Sequence, residues 1–172
     1  MKIAMRIQAI AAALLLSATT IYAEDNLVKN GNFEEPGAGW ALNKATIEEE
    51  SGAHFLRLKA PDEPTQVQAH QRITLSGDAK KLTLKFKVRY EDIQSGAEKW
   101  HDGRLIVHFK NAAGENTKPA PKPVAFRGSS SSWTEKTVEL EVPDGSATVE
   151  ILFGLFQAKS GTLDVDDVTL TP

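Results

Sequence analysis

The sequence contains no cysteine. That absence excludes a disulfide scaffold, thiolate metal sites, thiol catalysis and the attachment of lipid through a cysteine. The sequence also has no excess of positive charge, because 20 lysines and arginines stand against 23 aspartates and glutamates, a net charge of −3. A nucleic-acid partner is therefore not expected. The remaining composition, 41% hydrophobic and 25% charged, is that of an ordinary globular protein, and 172 residues suit one domain with a complete core.

The sequence has one long apolar run, and it lies near the N-terminus. Residues 7–16 follow two basic residues and lead into a stretch of small and polar residues. A run of this length is too short to span a membrane, which takes about 20 residues, but it is typical of an export signal. We expect residues 1–23 to be a cleaved signal peptide, with a cut after Ala18 as the alternative. Residues 24–172 are expected to form one exported domain, secreted or periplasmic, that is not inserted in a membrane.

The rest of the sequence alternates between apolar and polar residues with a period of two, which indicates β-strands. In residues 82–90, for example, Leu84 and Phe86 share one face, while Lys85 and Lys87 share the other. Strands are expected over residues 46–49, 54–59, 66–75, 82–90, 104–110, 137–142, 149–156 and 162–170. Loops or turns are expected over residues 91–103, 111–124 and 128–132. About eight to ten short strands without an amphipathic helix predict an all-β fold, an antiparallel β-sandwich or jelly roll.

Motifs that would indicate catalysis are missing. The sequence has no Gly-x-Ser-x-Gly elbow, no His-Glu-x-x-His and no phosphate-binding Gly-rich loop. Strand parity places His70 and His108 on one outer face, and Glu98, His101 and Asp102 lie close together in one loop. Either group would allow proton transfer, but a polar surface has the same composition. We therefore expect no enzyme and no catalytic residue, with a small glycan-active enzyme as the least favoured alternative.

Motifs at both ends of the chain resemble those of one family. Residues 26–34 read NLVKNGNFE and are followed by Gly39–Trp40, and residues 161–170 read GTLDVDDVTL. Together with Ser132–Trp133 and Val142–Pro143, they resemble carbohydrate-binding modules of families 4 and 9, the CenC type. The resemblance implies a galactose-binding-like jelly roll that holds a polysaccharide on the outer face of its concave sheet, without catalysis. A structural or adhesion module without sugar affinity is the alternative.

The resemblance also implies a structural calcium ion. In the family an opening glutamate and a closing aspartate bind the metal, and the matching residues are Glu34 and Asp166, with Asp164 and Asp167 as alternatives. Oxygen ligands from both ends of the chain suit Ca²⁺ and would join the first segment to the last in a protein without disulfides. Acidic residues at strand ends also serve solubility alone. Trp40 and Trp133 are expected to close the ends of the sandwich, because a jelly roll needs large apolar side chains there.

The ligand site is expected where planar polar groups and aromatic rings share the outer face of one sheet. The expected ligand-binding residues are Trp100, Arg89, His108, Gln68, His70, Lys87, Phe156 and Gln157. The cationic row of Lys85, Lys87 and Arg89 favours an acidic glycan, and a solvated strand face is the alternative. The expected partner is thus a polysaccharide or oligosaccharide, neutral or acidic, bound by a monomer.

Overall fold

The computed structural model describes residues 25–63, 65–76 and 79–172, so the expected signal peptide lies outside the described residues. Ten strands follow one another along the described chain: β1 (Ala41–Asn43), β2 (Thr46–Glu50), β3 (Ala53–Lys59), β4 (Gln66–Thr74), β5 (Lys81–Gln94), β6 (Gly103–Lys110), β7 (Val124–Phe126), β8 (Gly128–Glu141), β9 (Thr148–Phe156) and β10 (Ser160–Thr171). Within these described ranges, no helix has the length and apolar character needed to cross a membrane.

The strands form two five-stranded antiparallel sheets. Sheet one has the order β1-β4-β9-β6-β7, and sheet two has the order β2-β3-β10-β5-β8. The all-β sandwich predicted from the alternating pattern is confirmed, and all eight expected strands are present. β1 and β7 were missed, because three residues are too few to show an alternation. The expected turn at residues 128–132 is wrong: these residues begin the long edge strand β8.

The core lies between the sheets and is formed by alternate residues of each strand. Leu82, Leu84, Phe86 and Val88 of β5 are at most 1% exposed, so the face predicted from the pattern is the inner one. Trp40 packs between the rings of Phe33 and Phe153 and belongs to this core, as expected. Trp133 does not: its ring packs edge-on against Phe55 on the outer face of sheet two.

The N-terminal segment, residues 26–40, connects the two sheets at one edge. The Leu27 N–H donates to the carbonyl of Leu170 in sheet two (2.8 Å). The Gln71 side chain of sheet one exchanges two hydrogen bonds of 2.8 Å with the backbone of Lys29. Gly31 is required here, because a Cβ at this position would lie 1.9 Å from the carbonyl oxygen of Val168. The opening motif therefore fastens the first segment to the last strand.

Candidate functional site

The outer face of sheet one brings several of the expected residues together. Antiparallel register places Gln68 of β4 beside Gly154 of β9, and Gly154 beside Arg104 of β6. The next row contains His70 beside Leu152. Because neighbouring strands lie about 4.8 Å apart, Gln68 and Arg104 stand on either side of Gly154. A polar row with a glycine at its centre thus crosses the middle of the sheet.

The aromatic ring of Phe156 lies over that glycine. A Cβ added at Gly154 would come within 2.7 and 2.8 Å of two ring atoms of Phe156, so the ring rests directly on the backbone of the strand. Phe156 is half-buried, so part of its side chain is open to solvent. Gln68 and Arg104 flank the ring. We call the surface formed by Phe156, Gly154, Gln68 and Arg104 the Phe156 platform.

The loop of residues 95–102 borders the Phe156 platform and carries Trp100. The Phe156 N–H donates to the carbonyl of Asp102 (2.9 Å), which joins the loop to the end of β9. A Cβ at Gly96 would lie 2.2 Å from the Gln157 carbonyl oxygen, so the loop also packs on the residue after the strand. Trp100 is 52% exposed. The loop that carries Trp100 therefore lies at the same end of sheet one as Phe156 and Gln157.

A buried carboxylate holds this loop in place. Asp102 is fully buried, and it accepts hydrogen bonds from the Nε atoms of Arg104 and Arg127. The Arg127 Nη2 atom also donates to the Lys99 carbonyl (2.8 Å). Both arginines therefore have fixed positions, with Trp100 in the loop that they anchor. Rigid donors and rings bind a ligand at a lower entropic cost than mobile ones.

The other end of the face is rich in paired charges. Glu150 is 9% exposed and accepts a hydrogen bond from the Arg72 Nη2 atom (2.9 Å), with the Lys110 ammonium 3.9 Å away. Burial raises the pKa of Glu150, but the Arg72 hydrogen bond and the charges of Lys110, Arg72 and His70 outweigh it, so the pKa lies below its ordinary value. The carboxylate is ionised at neutral pH. The one carboxylate thus offsets only one of the two cations on this part of the face.

The expected histidine pair and the expected acid cluster are not arranged for proton transfer. His70 lies on β4 and His108 on β6, with β9 between them, so the two rings are two strands apart. Asp102 is engaged by two arginines. The His101 Nδ1 atom accepts from the Glu98 backbone N–H (3.3 Å), which ties the ring to its own loop. His101 and Asp102 are thus engaged within their own surroundings, and β9 separates the His70 strand from the His108 strand.

Two of the expected ligand-binding residues lie on sheet two and not on the outer face of sheet one. Arg89 and Lys87 belong to β5 in sheet two, so the prediction that they share a surface with Gln68 and His108 is wrong. Lys87 forms an ion pair with Asp167 (2.7 Å), and Arg89 is bound by acids as described below. The alternation gave the correct outer face for each strand. It contained no information about which sheet each strand joins.

Strand parity placed Arg104 on the outer face, since it alternates with the apolar residues of β6, but Arg104 was not among the expected ligand-binding residues. Gly154 was not predicted as a member of the site. The role of Gly154 depends on the ring of Phe156 turning back over it, which requires the three-dimensional arrangement. Asp102 was considered only as an acid. Its function as an anchor depends on Arg127, which is 25 residues away in the chain.

The expected calcium ligands lie where the N-terminal segment meets β10. The Glu34 carboxylate accepts from the His54 backbone N–H (3.1 Å) and lies 2.9 Å from the His54 Nδ1 atom. Burial raises the pKa of Asp166 to about 6, and the negative charges of Asp167 and Glu34 add to that rise. The carboxylates of Asp166 and Glu34 thus lie within electrostatic reach of each other.

These donors fit a calcium ion in chemical type. A partly buried carboxylate beside another acid gains from a cation, and both supply the oxygen atoms that Ca²⁺ prefers. No group of three or more acidic or histidine side chains in residues 25–63, 65–76 and 79–172 is placed to hold a metal, so backbone carbonyls would have to complete the coordination. Asp164 is not a suitable alternative, because Arg57 and Arg89 occupy its carboxylate oxygens.

Comparison with solved structures identifies proteins that share the fold of this chain. No family model and no curated protein matches the chain. A family 16 carbohydrate-binding module superposes with a TM-score of 0.62 and 20% identity, over 86% of this chain and 100% of that one. A family 61 module, solved with β-1,4-galactotriose, gives 0.56 and 14%, over 84% and 97%.

The enzymatically active domain of tailspike protein 4 from bacteriophage CBA120 gives a TM-score of 0.69 and 14% identity, over 85% of this chain. The present chain spans only 21% of that chain. Modules of families 22 and 28 have the same fold as well. The structural neighbours are therefore mostly carbohydrate-binding modules with a jelly-roll fold, whereas the CenC type in particular stays a prediction.

Proposed function

We propose that the protein is a non-catalytic carbohydrate-binding module that holds an oligosaccharide on the Phe156 platform. The observation that carries this proposal is the ring of Phe156 lying over Gly154, between Gln68 and Arg104. An aromatic face packs against the C–H groups of a sugar ring, while amide and guanidinium groups at its sides bind hydroxyls. Trp100 offers a second aromatic surface at the same end of the sheet.

The fold and the groups on the platform support this function together. Carbohydrate-binding modules recur among the structural neighbours. Within the described part of the chain, the side chain of Gln68 makes no hydrogen bond, so its amide is available to a ligand. Two cations, Arg72 and Lys110, face the single carboxylate of Glu150, which leaves one positive charge in excess on this part of the face. Neutral and acidic glycans are therefore both candidate ligands.

We further propose that a structural calcium ion bound by Glu34 and Asp166 joins the N-terminal segment to β10. The chemical type of the donors and the raised pKa of Asp166 support it. The ion would neutralise a buried charge and add stability, without contact with the Phe156 platform. We also propose that the protein acts outside the cytoplasm, as residues 1–23 suggest, and as a monomer.

Titration calorimetry with soluble glycans tests the proposed function. Cello-, xylo- and galacto-oligosaccharides supply neutral ligands, and oligogalacturonate supplies an acidic one. Phe156→Ala and Trp100→Ala should each weaken binding of the preferred glycan by about tenfold or more, which corresponds to about 1.4 kcal/mol. Lys85→Ala, on the outer face of the opposite sheet, is the control and should leave the affinity unchanged.

Thermal melts of the same variants separate binding from folding. Trp100→Ala should have the same melting temperature as the native protein, because the Trp100 side chain is half exposed. An absence of binding to every glycan would contradict the proposal and favour a structural or adhesion module. Unchanged affinity in both aromatic variants would place any sugar site elsewhere on the molecule.

A further inference from the structure

A pocket lies on the side of the sandwich opposite the Phe156 platform, on the outer face of sheet two. It encloses about 330 Å³, at the lower end of the range of about 300–1,000 Å³ for small-molecule sites. The residues that determine its chemistry are Arg57, Arg89, Glu50, Ser130 and Ser131. None of them belongs to the Phe156 platform. We call this cavity the Arg89 pocket.

The floor of the Arg89 pocket is a buried carboxylate that fixes two guanidinium groups. The Asp164 side chain is 4% exposed. It accepts hydrogen bonds of 2.8 and 2.7 Å from the Nε and Nη2 atoms of Arg57, and one of 2.8 Å from the Nε atom of Arg89. The Arg89 Nη1 atom donates to Glu50 (2.7 Å). Each guanidinium is therefore held by its edge and keeps further N–H groups for a ligand.

Aromatic rings pack against the guanidinium groups of the two arginines. The Arg89 guanidinium lies 4.7 Å from the ring centre of Trp133 and 5.0 Å from that of Phe55. The Arg57 guanidinium lies 5.0 Å from the same Phe55 ring. Such cation–π contacts add attraction and restrict the side-chain rotamers. Phe55 is 4% exposed although it points away from the core, so these residues form a small second core on the outer face.

An irregularity in the edge strand β8 brings Trp133 and the serines to this place. Tyr90 pairs with Ser130, whereas Val88 pairs with Thr134, so residues 131–133 of β8 stand opposite Arg89 alone. The extra residues bulge out of the ladder and turn the Trp133 ring over the sheet. β-Bulges commonly redirect side chains next to functional sites. Here the bulge supplies one wall of the Arg89 pocket.

The charges of the Arg89 pocket indicate the type of ligand. Two arginines face three carboxylates, Glu50, Glu91 and Asp164, which leaves one negative charge in excess. An anion gains no net attraction from this arrangement. Guanidinium donors beside carboxylate and hydroxyl acceptors suit neighbouring groups that donate and accept at once. The adjacent hydroxyls of a sugar have this property.

We propose that the Arg89 pocket is a second saccharide site, which binds a single neutral sugar unit independently of the Phe156 platform. The guanidinium groups of Arg57 and Arg89 donate to sugar oxygens. The carboxylates of Glu50 and Glu91 and the Ser131 hydroxyl accept from sugar hydroxyls. This inference goes beyond the proposed function, since either site can be present without the other.

The three tryptophans allow each site to be observed separately. Trp100 lies in the loop that borders the Phe156 platform, the Trp133 ring packs against the Arg89 guanidinium, and Trp40 is buried in the core. Protein labelled with 5-fluorotryptophan gives one ¹⁹F NMR signal for each, assigned by Trp→Phe variants. The probes are the methyl glycosides of glucose, galactose, xylose and arabinose, with galacturonic acid as the charged comparison. At least one neutral glycoside should shift the Trp133 signal saturably, while the Trp40 signal stays fixed.

Variants at the rim of the Arg89 pocket test whether that shift arises there. Ser131→Phe fills the pocket and should weaken the Trp133 response at least about tenfold. Ser132→Phe, the next residue of the same bulge, does not line the pocket and should leave the response unchanged. Glu50→Gln keeps the shape of the rim, removes an acceptor charge and should weaken the response, which covers the case in which Ser131→Phe does not fold.

Three results would overturn the second site. They are the absence of a saturable Trp133 shift with every neutral glycoside, loss of the shift in Phe156→Ala, and tighter binding of galacturonic acid than of any neutral sugar. If oligosaccharides shift Trp100 but no sugar shifts Trp133, only this inference fails. If Trp133 responds and Trp100 does not, the proposed function of the Phe156 platform fails while the second site stands.

Discussion

Gly154 is the residue that allows the Phe156 ring to lie close against the backbone of sheet one. Its backbone has no positive φ angle, so an alanine would fit the strand conformation, but its Cβ would meet the Phe156 ring at 2.7 Å. The missing side chain is thus needed for the contact with Phe156 on the surface of the sheet, and not for the backbone conformation. A substitution of Gly154 therefore tests the platform without disturbing the core.

Gly154→Ala should move the Phe156 ring off the strand and lower the affinity for the preferred glycan by about tenfold. The melting temperature should change little, since alanine replaces glycine in a strand of ordinary geometry. Calorimetry and thermal melts measure the two effects. The double variant Gly154→Ala/Phe156→Ala should bind no more weakly than Phe156→Ala alone, because both changes remove the same contact. Additive losses would contradict the platform.

Asp164 is the residue on which the outer face of sheet two depends for stability. Asp164→Asn should lower the free energy of unfolding by about 3 kcal/mol, because two arginines held over aromatic rings lose their buried counter-charge. Urea denaturation measures the loss. Glu50→Gln is the matched control, since Glu50 is half exposed and binds only Arg89; it should cost about 1 kcal/mol or less. Equal losses in the two variants would show that burial of Asp164 is unimportant.

At the scale of elements, the N-terminal segment and β10 form one structural unit. Leu27 pairs with Leu170 through the backbone, and the Leu170 N–H also donates to the Asn26 side chain (2.9 Å). The Val168 N–H donates to the Gly31 carbonyl (2.9 Å). The opening and closing motifs of the sequence are therefore two sides of one contact. The proposed calcium ion lies at this contact.

Calcium should raise the melting temperature relative to EDTA. An ion that binds only the folded state adds about 2.7 kcal/mol at a hundredfold excess over its dissociation constant, which is several degrees for a domain of this size. Glu34→Gln and Asp166→Asn should each abolish the difference. Identical melts of the native protein with calcium and with EDTA, after verified removal of metal, would exclude the ion.

The effect of Asp166 on stability in EDTA is a second test of the proposed calcium ion. The pKa of Asp166 in the folded protein is raised to about 6 from an ordinary value of 3.8. A raised carboxyl pKa means that the favourable contribution is complete below pH 3.8 and lost as the pH rises through about 6. At pH 8 the ionised Asp166 carboxylate lowers the free energy of unfolding. Asp166→Asn should therefore melt higher than the native protein in EDTA and lower in excess calcium.

At the scale of the whole molecule, paired charges on both outer faces connect stability to pH. The pKa of Glu150 is lowered on balance, because the Arg72 hydrogen bond and neighbouring cations outweigh burial. A lowered carboxyl pKa contributes stability above the value of the unfolded chain, near 4.5, and that contribution is lost as the pH falls through the folded value. Acid should thus weaken the contact between β4 and β9.

Glu150→Gln should reduce the free energy of unfolding by about 1 kcal/mol at pH 7, since Arg72 is more than half exposed and water screens the pair. As the pH falls through the folded pKa of Glu150, the difference between the two proteins should shrink, because the native carboxyl becomes neutral. Denaturation curves at pH 7 and across the acidic range measure this. A difference that persists in acid would indicate a packing effect and not a charge effect.

Residues 82–90 show how much of the fold the sequence contains. Their alternation predicted both the strand and its buried face, because side chains of successive residues point to opposite sides of a sheet. The same reasoning placed Gln68, His70, His108 and Phe156 outward, as the structure has them. It failed at residues 128–132, since a run of serines has no alternation and pairs with β5 only through the bulge.

The sequence by itself determined the fold class and the faces of the long strands, because both depend on local periodicity. The meeting of the opening and closing motifs was implied by the resemblance to the family. Only the tertiary structure decided that β4, β6 and β9 form one sheet while β5 joins the other, which separates Arg89 from His108. It also turned Phe156 over Gly154 and brought Arg57 and Arg89 to Asp164. Strand pairing and register join residues as distant in the chain as Leu56 and Val165, and a pattern with a period of two does not specify such partners.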